Sequence, residues 1–274
     1  MSGTLYVVAT PIGNLEDMTY RAVRLLQEVD LIAAEDTRHS RKLLSHYGIA
    51  TALISYHEHN EESRSSQLLE KLQADQSIAL ISDAGTPCIA DPGYRLVSRC
   101  RQAGIAVAAV PGASALVAAL SISGLPTDAF SFVGFIPAKS HARRQLFERL
   151  KDEKQTIACY ETPHRLLASL EDLAAVCGAD RPLAIARELT KRHEELFSGT
   201  VVQAQAHFAQ NGVKGELVML LAPAPERLPE GTVRDMLSQL REETDLSWKE
   251  IVKQVAKRFG LPGSDVYKES LDLR

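Results

Sequence analysis

The sequence predicts an α/β protein built around a mostly parallel sheet, and three features predict it. Short apolar runs, such as Ile78-Ala79-Leu80-Ile81, lack polar alternation, as strands buried on both faces do. Each run breaks into a small or polar turn at its carboxyl end. Segments of helical, amphipathic period follow, so strand and helix alternate in the order of crossover connections.

Residues 4–9 (TLYVVA) read as the first strand, closed by the loop Thr10-Pro11-Ile12-Gly13-Asn14. The helix after it carries Met18, Ala22, Leu25, Leu26 and Val29 on one face. Residues 30–34 form a second strand with Glu35-Asp36-Thr37-Arg38 at its end, and Gly48 stops a helix containing Leu43, Leu44 and Tyr47. A third strand at 53–56 runs into His57-Glu58-His59-Asn60 and a helix around Leu68, Leu69 and Leu72. The fourth strand opens the segment 77–93, SIALISDAGTPCIADPG. Asp83, Gly85, Thr86 and Pro87 cannot continue it, and small ligands gather past the carboxyl ends of such strands. Gly85 permits close backbone approach, and Asp83 and Thr86 supply hydrogen bonds. A plain strand-to-helix connection has the same composition. Asp91-Pro92 reads as an acidic cap with proline in the first turn, starting a helix over 91–103 that stops at Gly104. A strand at 105–110 then turns through Pro111-Gly112-Ala113-Ser114-Ala115 into a helix of small residues.

A seam at 124–128 separates this unit from a second one. Its predicted strands are 130–135, 156–160, 183–186, 195–202 and 216–221, with helices at 139–150 and 163–176. Pro223, Pro225 and Pro229 mark a linker. Residues 231–274 predict two or three short helices around Leu237, Leu240, Ile251, Val255 and Phe259, with Ser247 and Glu250 spaced as a capping box.

Apolar content of 45% and charged content of 24% are those of a soluble globular chain. No window reaches the length of a membrane span, and the apolar stretch 5–9 is too short for a secretory signal. Cys88, Cys100, Cys159 and Cys177 form no CxxC pair, which points to a reduced, cytoplasmic setting. A net charge of −4 excludes a general nucleic-acid coat, so any RNA has to meet a local basic patch. GxGxxG, the P-loop and GxSxG are all absent. His57, Glu58 and His59 lack a third ligand at a recognisable spacing, so no metal is expected. Taken singly, residues 38–42 and the pair Arg143-Arg144 read as solvated helix faces.

The segments LYVVATPIGNLEDMTYRAV, AEDTRHSRKLL, ISDAGTPCIADPG, VPGASA, ETPHR and RELTKRHEE run from residue 5 to residue 195. On them the chain resembles the tetrapyrrole methylase superfamily. The resemblance implies two α/β domains, 1–123 and 124–225, with S-adenosylmethionine in the cleft between them, and a helical extension over 226–274. The superfamily resemblance also implies a homodimer, and a closer likeness to its rRNA-methylating members implies methylation of the 2′-oxygen of a cytidine ribose in the decoding region of 16S rRNA. Two departures stand out. The glycine-rich GxGPGD loop of related methylases is TPIGNLED here, which weakens a tetrapyrrole acceptor, and GGDP is replaced by AGTP, which puts a ribose contact by Thr86 in doubt.

Carried over residue by residue, the resemblance places Pro11, Asp83, Ala84, Gly85, Thr86, Ile89, Ser114 and Ala115 around the cofactor, with Tyr160, Leu221 and Ala222 closing over the adenine. A ribose hydroxyl is a weak acid, so a base or cation should assist its deprotonation. Asp36, Glu188 and Lys191 are the catalytic candidates, with Glu35, Arg38 and Arg187 in the same signatures. Arg38, Arg41, Lys139, Arg143, Arg144, Arg192, Lys253 and Lys257 are the candidates for RNA phosphate contact, the last two on a tail helix. A small-molecule methyltransferase and a non-catalytic rRNA-binding protein are the competing classes; failure to bind S-adenosylmethionine would select the latter.

Overall fold

The computed structural model describes residues 3–225 and 231–273, so Pro229 of the expected linker lies outside the described residues. In the first sheet, β1 (Thr4–Val8), β2 (Leu31–Ala34), β3 (Leu53–Ser55), β4 (Ile78–Ile81) and β5 (Ala106–Val110) are all parallel, in the order β3-β2-β4-β1-β5. Every residue of β4 is buried because both of its faces are covered. Ala79 and Ile81 pack with α1 (Tyr20–Glu28) and α2 (Thr37–His46), and Ile78 and Leu80 with α3 (Glu61–Gln73) and α4 (Tyr94–Gln102). That double burial is why the run shows no alternation.

After β5, α5 (Ala115–Ile122) packs Leu116, Ala119 and Leu120 against the second sheet. That sheet is mixed. Its strands β6 (Phe130–Phe135), β7 (Thr156–Glu161), β8 (Pro182–Arg187), β9 (Glu195–Thr200) and β10 (Leu217–Leu221) run in the order β6-β7-β10-β8-β9. The β6–β7 pair is parallel and the others are antiparallel. One face, with Ile157, Cys159, Ile185 and Met219, is covered by α6 (Ser140–Leu150), α7 (Leu166–Cys177) and α8 (Val201–Asn211). The other face carries Ala158, Ala184, Ala186, Val218 and Leu220 and receives α5 together with Ile12.

Three sequence expectations are corrected. The helix expected from Asp91 begins at Tyr94 with Gly93 at its cap, because the loop stays irregular through Pro92. The first turn of the helix expected from Pro163 is a 3-10 turn, and α7 starts at Leu166. The strand expected over 195–202 ends at Thr200, where a capping box with Gln203 starts α8. The β-branched pair Val201-Val202 resembles a strand, but Val201, Ala204 and Phe208 at helical spacing are the buried positions.

Met1–Ala224 and Pro225–Arg274 are separate compact units. The second holds α9 (Val233–Glu243), α10 (Trp248–Phe259) and α11 (Gly263–Ser270) around Leu237, Leu240, Ile251, Val255 and Val266. Capping boxes at Thr232 and Ser247 open α9 and α10, and left-handed Gly260 ends α10.

Candidate active site

A parallel sheet delivers its carboxyl-end loops to one edge, and here hydrogen bonds lock three of them together. Thr10 N–H donates to the Gly85 carbonyl at 2.8 Å, and Gly85 N–H returns a bond to the Thr10 carbonyl at 3.0 Å. Thr10 Oγ1 donates to the Ser82 carbonyl at 3.2 Å. Thr86 Oγ1 donates to the Ala113 carbonyl at 3.2 Å and brings in the loop after β5. Gly85 has a φ of +80°, and a Cβ there would lie 3.3 Å from Ile12 Cγ2.

Between these loops and the second sheet lies a cavity of about 450 Å³, within the usual range of small-molecule sites. Ile12, Glu35, Asp83, Gly85, Ile89 and Asp91 line it from the first sheet. Phe135, Tyr160, Thr162, Ala186, Leu189 and Val218 line it from the second. Apart from Asp75, the described non-glycine residues with positive φ are Cys88 and Ala90 in one flanking loop and Glu188 and Thr190 in the other. Such conformations cost about 1–3 kcal/mol each and persist where a site over-determines them.

The cavity is acidic. Burial, then the charge of Glu35, pushes the Asp91 carboxyl up to about 6 against a weaker opposing bond from Ser82. Burial likewise raises Glu35, whose Oε2 accepts the Asp83 N–H at 3.4 Å, and the Asp83 charge adds to the rise. Burial and then Asp91 raise the Tyr160 hydroxyl from the facing wall. Half-buried carboxylates that repel one another are relieved by a cation placed among them. Glu161 differs. It is buried, bonded by the Ser169 hydroxyl and by Thr162 N–H at 2.7 Å, and paired with Arg165 Nη2 at 2.8 Å. Those partners make it a brace for the wall.

Of the residues carried over to a cofactor, Asp83, Ala84, Gly85, Thr86, Ile89, Ser114, Ala115 and Tyr160 come together in the cavity wall. Pro11 is not part of the wall; its neighbour Ile12 is. Leu221 and Ala222 sit at the far end of β10, pairing with Ile157, Leu183 and Pro182. Because β10 runs antiparallel to β7, its beginning, Leu217-Val218, is what meets Tyr160 at the cavity.

The catalytic candidates are also redistributed. Asp36 caps α2, and hydrogen bonds and the charge of Arg38 hold its carboxyl down at about 2, so it is a poor proton acceptor. Its neighbour Glu35 faces the cavity. Lys191 Nζ pairs with Glu188 at 2.8 Å and Glu216 at 3.1 Å, and its stem lies against Gly13, joining the loops of the two sheets. Arg187 is occupied by Glu195 at 2.7 Å. Asp91, a helix cap by sequence pattern, is instead a cavity residue in the loop marked by the ADPG tetrapeptide, and Gly93 takes the cap.

Among the phosphate-contact candidates, Arg143 is a correction. It is buried, bonded to Asp172 Oδ2 at 2.7 Å and to the Pro137, Ala138 and Ala168 carbonyls, so it cannot meet RNA. Arg144 is half exposed beside Asp172, and Arg38 is paired with Asp36. Arg41, Lys139, Arg192, Lys253 and Lys257 are exposed. No group of three His, Cys, Asp or Glu among the described residues is arranged to hold a metal ion.

An acidic cavity between the loop edge of a parallel sheet and the face of a mixed one suits a cationic group donor. The chain belongs to the tetrapyrrole (corrin/porphyrin) methylase family, whose model matches residues 4–205. It is a methyltransferase. It is 52% identical to "Ribosomal RNA small subunit methyltransferase I" of Synechocystis sp., over 99% of this chain and 98% of that one. It is 46% identical to the protein of the same name from Escherichia coli O157:H7, over 98% of this chain and 95% of that one. Among solved structures it is similar in fold to the methyltransferase CobJ, with a TM-score of 0.62 at 19% identity over 82% of this chain and 96% of that one. A uroporphyrin-III C-methyltransferase from Thermus thermophilus complexed with S-adenyl homocysteine gives 0.56 at 19%, over 80% and 97% of the two chains.

Proposed function

We propose that the protein transfers the methyl group of S-adenosylmethionine to the 2′-oxygen of a cytidine ribose in the decoding region of 16S rRNA. The near-full-length likeness to two relatives named as small-subunit rRNA methyltransferases carries this reading. The cavity fits the donor. Its carboxylates suit a sulfonium and an ammonium, its Ala186, Leu189, Val218 and Tyr160 wall suits a flat base, and the backbone at Gly85 leaves room for close approach. When bound, the sulfonium supplies a methyl group that is already activated. Asp91 and Asp83 would hold the cationic end of the donor, and Glu35 would accept the proton of the acceptor hydroxyl. In-line positioning contributes most of the acceleration.

The sheets 1–123 and 124–225 serve as the two domains of the site. The exposed cations Lys249, Lys253 and Lys257 recur at i, i+4 and i+8 on α10 with no acid pair among the described residues. Glu250, the acid on that helix, is bound to Ser247 in the cap. Like charges at that spacing destabilise a helix, so the stripe is read as an RNA-phosphate contact. Exposed Val117 and Ile122 on α5, with Tyr94, support a homodimer, which sedimentation would check. A cytoplasmic setting agrees with four free cysteines. No helix among the described residues is long and apolar enough to cross a membrane.

The test is calorimetric titration with S-adenosylmethionine, followed by labelled-methyl transfer to small ribosomal subunits lacking the modification. Product resistant to alkaline cleavage at one cytidine supports the reading. Binding without transfer to RNA refutes it.

A further inference from the structure

The large apolar residues that both line the cavity and remain exposed are Phe135, 53% accessible, and Ile89, 41% accessible. They stand at the mouth on opposite walls, Phe135 on β6 and Ile89 in the loop after β4. The position of Phe135 is built by the backbone. Phe132 pairs with Ala158 and Phe135 with Tyr160, so β6 holds one more residue than β7 across that interval. Gly134, at φ +71°, takes up the extra residue. Without the bulge, alternation would send Phe135 to the face opposite Phe132. With it, Phe132 and Phe135 both lie on the side of Tyr160, whose ring meets theirs edge-on at 5.0 and 5.3 Å. The Tyr160 ring thus supports Phe135 from one side, while about half of Phe135 stays accessible to solvent.

We propose that Phe135 is the platform on which the acceptor nucleobase stacks, with Ile89 bounding the opposite side of the slot. This deepens the RNA reading and rests on it. Sequence-specific RNA recognition targets unpaired nucleotides, whose unstacked bases are held on aromatic faces. A rigid, ring-supported phenylalanine at the rim provides such a face for one base. The acidic interior then receives only the ribose edge and the donor. Stacking reads a planar ring without reading its hydrogen-bonding edge, so Phe135 acts on acceptor binding and leaves donor binding alone.

The experiment compares Phe135→Ala, Phe135→Leu and Phe135→Tyr with the parent protein. Donor affinity is measured by calorimetry, and methyl transfer is measured on unmodified small subunits. The alanine and leucine variants should raise KM for subunits by about five- to a hundredfold, the range of one lost stacked base. Their affinity for S-adenosylmethionine should match the parent, and tyrosine should restore KM. A leucine variant with the parent's KM overturns the proposal, because apolar bulk would then suffice. Loss of donor affinity in the alanine variant with unchanged KM for subunits also overturns it, placing Phe135 against the donor. If the parent binds donor but methylates no RNA, the underlying RNA reading fails and the stacking proposal with it. An active parent with an unaffected alanine variant refutes the stacking proposal alone.

Discussion

The first sheet reaches the cavity through its strand ends, the second through a strand face. In the first, parallel β1, β2, β4 and β5 put their loops on one edge, and those loops carry Glu35, Asp83 and Asp91. In the second, mixed pairing turns Tyr160, Ala186 and Val218 toward the same space, with small alanines allowing close approach. Charge therefore comes from the loops and shape from the face. The polar groups of the second sheet, Glu161 with Arg165 and Arg143 with Asp172, are tied into internal pairs.

The largest expected effect tests whether those pairs are purely supportive. Arg143→Ala leaves the nearly buried Asp172 carboxylate short of its main partner, and should cost about 3 kcal/mol of stability in chemical denaturation. The salt dependence of RNA binding should stay unchanged; a reduced slope would return Arg143 to the phosphate contacts.

On the loop side, Gly85→Val puts a branched side chain at a left-handed position facing Ile12. Affinity for S-adenosylmethionine should fall at least about a hundredfold, ~2.7 kcal/mol, with the circular dichroism spectrum kept. Parent-like affinity would mean that the loop edge does not hold the donor.

Asp91 sharpens the division by pH. Its folded-state value of about 6 lies above the ordinary 3.8, so folding favours the protonated form. That stabilising contribution is full below about 3.8 and is lost as pH rises through about 6. The ionised form attracts a cation, so donor affinity should rise between pH 5 and pH 7 while stability of the unliganded protein falls. Asp91→Asn should remove most of the pH step and weaken binding at pH 7 by about tenfold, ~1.4 kcal/mol. A pH step retained in the variant assigns it to Glu35.

The smallest effect lies in the unit Pro225–Arg274. Replacing Lys253 and Lys257 with alanine should lower the slope of log K against log salt for RNA by about one per lysine, leaving donor affinity unchanged. An unchanged slope moves the phosphate contacts to Arg41, Lys139 or Arg192.

The first sheet and the loops gathered at its carboxyl edge were legible in local pattern alone. Apolar runs without alternation, each ending in small or polar residues, admit few structures other than doubly covered parallel strands. Parallelism alone then brings TPIG, SDAGTP and PGASA together. The capping box at Ser247 was equally legible, because its signal lies within four residues. Tertiary structure decided the rest. The direction of β10 depends on its neighbours β7 and β8, so the end of that strand facing the cavity could not be read from LVMLL. The burial of Arg143 depends on Asp172, 29 residues away. Burial, then the charge of Glu35, which is distant in sequence, pushes the Asp91 carboxyl up to about 6. Local pattern sets which segments become strands and helices. Strand direction, burial and field are sums over distant residues, and only the folded chain brings those residues together.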